Sequence, residues 1–168
     1  MSTFKKILFI YALLASPLLL AEPLSFGVVP QQAASRLAKL WIPILKRVSK
    51  ETGLDIRFKT ATDIPSFELA LAKGEYDLAY MNPYHYEVFH ETQGYQAFAK
   101  EMNKFIQGII VVHKDSDIKE LQLLQGQTLV FPSPAAFAAS ILPRGYLHSQ
   151  KIEMTPKYVH SHDSVYFN

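Results

Sequence analysis

The chain has no cysteine. Disulfides are therefore excluded, and so is a lipid-modified cysteine following a leader segment. Charge is sparse and nearly balanced: 19% of the 168 residues are charged and the formal net charge is +2. Two of the positive residues, Lys5 and Lys6, sit at the extreme N-terminus, so the remainder is close to neutral. No basic field is left to recruit nucleic acid. A Gly-x-Ser-x-Gly elbow, a phosphate-cradling glycine loop and a paired-carboxylate motif are all missing. A hydrolase triad can be drawn on paper from Ser133, His162 and Asp163, but nothing in their spacing supports it, and the chain reads as a non-enzyme. The longest apolar run, Ile7 to Leu20, is about 14 residues with Pro17 inside, short of the roughly 20 that a membrane span needs.

That run reads instead as a secretory leader over residues 1–21. Lys5 and Lys6 form its basic start, Ile7 to Leu20 its apolar middle, and Ala21 ends a cleavage site. The expected address is the bacterial periplasm, with the mature chain starting near Glu22. With 49% hydrophobic residues, the chain can build one domain with a real core, not two complete ones.

After the leader, Leu24–Val29 reads as a strand ending at Pro30. From Ala34 to about Glu51, Leu37, Leu40, Trp41, Ile44, Leu45 and Val48 fall at helical spacing, with Pro43 inside and Gly53 as C-cap. Leu54–Lys59 alternates as a strand, Asp63-Ile64-Pro65 starts a helix through Ala72, and Tyr76–Tyr80 is a third strand. Asn82-Pro83, a capping residue before a proline at the first helical position, opens a helix to Glu91. Strand–helix alternation of this kind predicts an α/β fold with a mostly parallel sheet.

Beyond Tyr95 the pattern changes. Tyr95–Met102 and Gln107–His113 read as extended stretches, either an antiparallel pair or a crossing between lobes. Ile118–Leu124 is expected as a short helix and Gln127–Phe131 as a strand. Ser133-Pro134 is expected to start an Ala-rich helix running to Ile141, with Pro143 as a break. Tyr158–His160 reads as a last strand, and Ser161–Ser164 as the start of a last helix.

Helix starts placed directly after strands point free N–H groups beyond the strand ends, where open α/β sheets bind ligands. Asn82 and Ser133 mark two such ends in separate halves of the chain, which suggests a cleft. Tyr80 and Tyr84 crowd the first of them and can both pack on a ligand and hydrogen-bond to it. His160 and His162, with Asp163, His85 and His90, fix no metal geometry, because zinc needs three or four convergent ligands. No metal and no cofactor are expected, and His162 is better read as a donor to an anion.

Four segments in this order, Phe26–Gln32, Tyr80–Tyr86, Phe131–Ser140 and Ser161–Val165, resemble the phosphate/phosphite/phosphonate-binding family of ABC-transporter substrate-binding proteins. The resemblance covers the mature chain. It implies a type II periplasmic binding fold with two α/β lobes closing on a ligand, here a first lobe over 22–105 and a partial second lobe over 106–168. The resemblance further implies a periplasmic solute-binding component of an ABC importer for a phosphate- or phosphonate-like anion. Such a component would work as a monomer with permease subunits in the inner membrane. The ligand residues so implied are Tyr80, Asn82, Tyr84, Ser133 and His162, of which His162 matches the family's ligand-contacting histidine. Two features depart from the pattern. Where phosphonate binders have a serine/threonine-rich turn, this chain has Ala135-Ala136-Phe137-Ala138-Ala139, and Ile64 and Met81 fall where a first-lobe tyrosine is expected. A phosphonate and a less charged ligand are both open on this lining. Members also continue past the position of Asn168, so the second lobe is expected to be incomplete. A periplasmic sensory module, or a truncated remnant that no longer binds, are the alternative readings.

Overall fold

The computed structural model describes residues 22–168, so the leader expectation lies outside the described residues. Two small parallel sheets carry the chain. In the first, β1 (Leu24–Val28) lies between β2 (Ile56–Thr60) and β3 (Leu78–Tyr80). Val28 is level with Thr60 on one side and Tyr80 on the other, so the three carboxyl ends finish together. The second sheet pairs β4 (Thr128–Phe131) with β5 (Thr155–Tyr158), and Phe131 is level with Tyr158.

The helices that follow each of the first three strands start and stop where local chemistry dictates. Helix α1 (Ala34–Thr52) runs through Pro43 and ends at Gly53, whose φ of 73° is open to glycine and whose N–H caps the Ser49 carbonyl. Helix α2 (Ile64–Ala72) is capped by Asp63, which accepts from the Ser66 N–H. Helix α3 (Pro83–Gln93) is capped by Asn82, which accepts from the His85 N–H. In both, a proline at the first turn removes an N–H that would otherwise go unpaired.

The main core lies under the first sheet and joins Val29, Ile64, Phe67, Leu71, Tyr76 and Phe89. Fully burying side chains of this size is worth about 1.5–3 kcal/mol each. Gly27 is required there by close approach: a Cβ would lie 2.5 Å from the Tyr76 ring, which stacks on Phe67 at 5.2 Å. At the sheet's entrance Ser25 and Asp77 clasp each other. The Asp77 carboxylate accepts from both the N–H and the hydroxyl of Ser25 at 2.7 Å, and these bonds lower its pKa. A second, smaller core of Leu124, Leu147 and Ile152 lies beside β4 and β5. Ala136 belongs to the first core, not the second, so the turn after β4 is packed onto the first sheet's helices.

Four expectations are corrected. Residues 95–113 form no strand, and none of 96–112 makes a backbone–backbone hydrogen bond among the described residues. Phe98 (79% exposed), Phe105 (92%) and Ile109 (76%) stand in solvent along it. Their β-prone composition is real, but a strand needs a hydrogen-bonded neighbour, and none of the described strands pairs with it. The short helix shrinks to a 3-10 turn at Leu121–Leu124. No helix starts at Ser133-Pro134: a five-residue π-helical turn, Phe137–Ile141, leads instead into α4 (Leu142–Ser149), and Pro143 opens that helix where a break was expected. Ala136 holds ψ at 103° while seated in the first core, which forbids helix before it. Finally, β5 ends at Tyr158, and His160 turns to a left-handed φ of 64° just before the short α5 (His162–Tyr166).

Candidate functional site

Asn82 lies two residues past β3 and Ser133 two past β4, so both stand at carboxyl ends of parallel strands. Val29 donates to the Tyr80 carbonyl and Val159 to that of Phe131, both at 3.0 Å, which fixes where each strand hands over to its loop. His162 follows β5 as the first residue of α5, which is capped by Ser161 through the Ser164 N–H and packs on β4.

Asn82 is buried and occupied on both sides of its amide. Its Oδ1 accepts from the His85 N–H at 2.8 Å. His85, 1% exposed, gives its Nε2 proton to Glu68 on α2 at 2.9 Å. With that proton committed, Nε2 offers no lone pair to Asn82 Nδ2 at 3.3 Å, and the amide reaches instead for the Ala135 carbonyl at 3.5 Å. This long contact brings the loop after β3 to the loop after β4.

The opposite side is less satisfied. Ser133 is buried, yet its Oγ has no hydrogen-bond partner, and neither has Nε2 of His162. Burial pushes the His162 imidazole below its ordinary pKa against the opposing pull of Asp163, so the ring is neutral at pH 7. On the first wall, Nδ1 of His85 is a third buried polar atom without a partner.

Of the five expected residues, Asn82, Ser133 and His162 stand at strand ends with buried polar atoms. Tyr80 is exposed at the end of β3, its ring 4.7 Å from Trp41 of α1, which in turn lies 5.2 Å from Phe26. Tyr84 is partly exposed on the first turn of α3 and its hydroxyl meets no partner among the described residues. Ser133 is not the helix cap it was expected to be, since α4 begins nine residues later. The Glu68–His85 pair and Arg144, whose Nη1 donates to the Tyr158 hydroxyl at 2.6 Å, had no part in the expected ligand set. Each joins residues 14 or more apart in sequence, so no local spacing could reveal it. Among the described residues no cluster of His, Asp or Glu is arranged to hold a metal ion.

Parallel strands joined by helices, with Asn82, Ser133 and His162 beyond their carboxyl ends, match the type II periplasmic-binding fold, and solved structures share it. A binding-protein component of an ABC phosphonate transporter from Pseudomonas aeruginosa superposes with a TM-score of 0.61 at 15% identity. That match covers 82% of this chain and 51% of the other. PhnD1 from Prochlorococcus marinus, solved with methylphosphonate, gives a TM-score of 0.62 at 15% identity, covering 86% of this chain and 58% of its own. The chain thus spans little more than half the length of these structures. No curated protein matches it. The sequence model of the phosphonate-binding periplasmic substrate-binding proteins of ABC transporters matches residues 26–168, and the chain belongs to that family.

Proposed function

We propose that this chain serves as a periplasmic solute-binding component of an ABC importer, taking up a phosphate- or phosphonate-like small anion. In this reading a leader over 1–21 is removed, and lobes over 22–105 and 106–168 form the two walls of the site. The observation that carries it is the pair of buried, unpartnered atoms Ser133 Oγ and His162 Nε2 at the ends of β4 and β5. A buried polar atom left without a partner costs about 1–3 kcal/mol, a cost that ligand oxygens would remove. Asn82 and the first turn of α3 supply the facing wall, and Tyr80 and Tyr84 its rim. The partners are the ligand and the permease subunits of the inner membrane. The protein acts as a monomer, with no nucleic acid, cofactor or chemical step.

A thermal-shift series against phosphate, phosphite, methylphosphonate and uncharged solutes tests this directly. An anion should raise the unfolding midpoint, and the emission of Trp41, which touches Tyr80, should change with the same concentration dependence. Stabilisation by uncharged solutes alone would sink the anion reading.

A further inference from the structure

The wall after β4 is poor in the groups that hold a charged oxygen. Ala135, Ala136, Ala138 and Ala139 carry no hydroxyl, and no helix N-terminus begins at Ser133. His162 is neutral, and Ser133 brings one hydroxyl. An anion entering this edge therefore needs a fixed cation.

Arg144 lies in the first turn of α4, and three elements hold its guanidinium at this edge. Nη1 donates to the Tyr158 hydroxyl at the end of β5 (2.6 Å), to Ser140 Oγ in the π-helical turn (3.4 Å) and to the Pro134 carbonyl (3.5 Å). Two hydrogens on Nη1 face three acceptors, so the short bond to Tyr158 dominates and the other two are shared. Nε and Nη2 meet no acceptor among the described residues, which leaves three N–H donors in the planar fork that matches a phosphate or phosphonate oxygen pair. The Tyr158 oxygen accepts from the cation, so its own proton is free and polarised for donation.

We propose that Arg144, oriented by Tyr158, is the charge that binds the oxyanion end of the ligand and makes the site prefer a phosphonate- or phosphate-like anion to an uncharged solute. The inference rests on the solute-binding reading above and goes further by naming what replaces the missing hydroxyls. A guanidinium that merely pins the turn to β5 would affect folding but not the choice between charged and neutral ligands.

Calorimetric titration of the purified chain with methylphosphonate, and separately with inorganic phosphate, at low and high salt makes the test. The wild type should bind an anion, more weakly as salt rises. Arg144→Gln should weaken that binding about tenfold or more, with Arg144→Lys restoring part of the loss. Tyr158→Phe should give a smaller loss in the same direction. Binding by Arg144→Gln within about twofold of the wild type would overturn the inference while leaving the proposed function standing. Failure of the wild type to bind either anion would overturn the proposed function itself. Should Arg144→Gln not fold, judged by circular dichroism, Tyr158→Phe and the wild-type salt series decide: unchanged affinity in both overturns the inference.

Discussion

The two walls of the proposed site handle buried polarity to different degrees. On the first, the Asn82 amide is committed to the His85 N–H and the Ala135 carbonyl, and Glu68 fixes the His85 ring from the next helix. On the second, Ser133 and His162 carry buried polar atoms left unmatched, and the turn between Ser133 and α4 is a π-helical deviation from α geometry. The first wall is the more finished, with His85 Nδ1 its one unmatched buried atom among the described residues, while the second leaves both Ser133 Oγ and His162 Nε2 in reserve. Rigidity on one side and unmet hydrogen-bonding capacity on the other suit a site that orients a ligand against one wall and gains energy at the other.

Five substitutions or conditions sharpen or break that contrast. Phe67→Ala, at the centre of the first core, should cost about 4 kcal/mol in denaturant unfolding, and Leu147→Ala in the second about 3 kcal/mol. Because Ala136 ties the turn after β4 into the first core, both should shift a single transition. Two separate transitions would show that the walls fold independently. Asn82→Ala removes a helix cap and should cost about 1 kcal/mol by the same measurement, a loss confined to the finished wall.

Ser133→Ala should do the reverse. Removing an unpaired buried hydroxyl should leave stability unchanged or raise it by up to about 1 kcal/mol, while ligand affinity falls. A stability loss as large as that of Asn82→Ala would mean the hydroxyl is structurally engaged. The smallest effect concerns pH. His162 has a pKa below its ordinary 6.5 in the fold, so the unfolded chain takes up a proton first as pH falls. Its contribution to stability is complete above pH 6.5 and is lost as pH drops below that value until the folded-state pKa is passed. His162→Gln should flatten the stability profile in that window.

The first sheet was legible because its signals are local. Asp63 and Asn82 ahead of their helices, and Gly53 at a helix end with φ of 73°, are short-range devices that tertiary packing does not override. Ser133-Pro134 looks the same in sequence as Asn82-Pro83 and behaves differently, because Ala136 is drawn into a distant core. The polar pairs that define the candidate site join distant residues: Glu68 with His85, Arg144 with Tyr158, Asn82 with Ala135. The contact of Tyr80 with Trp41 of α1, 39 residues earlier in the chain, is equally long-range.

The stretch from Gln107 to Val112 has a further consequence, for how the protein behaves in bulk. It is uncharged, free of proline and β-branched over Ile109 to Val112, and its backbone bonds to no other backbone among the described residues. Gly108 lies against the Ala138 carbonyl, where a Cβ would collide, and Ile110 packs on the second core, so the stretch is held at the surface with its backbone unpaired. A segment of that composition, presented in that shape, is a template for cross-β stacking. Colloidal stability of the chain is therefore set here, and a lysine in place of Ile109 or Val111, both solvent-facing, is the change that would protect it.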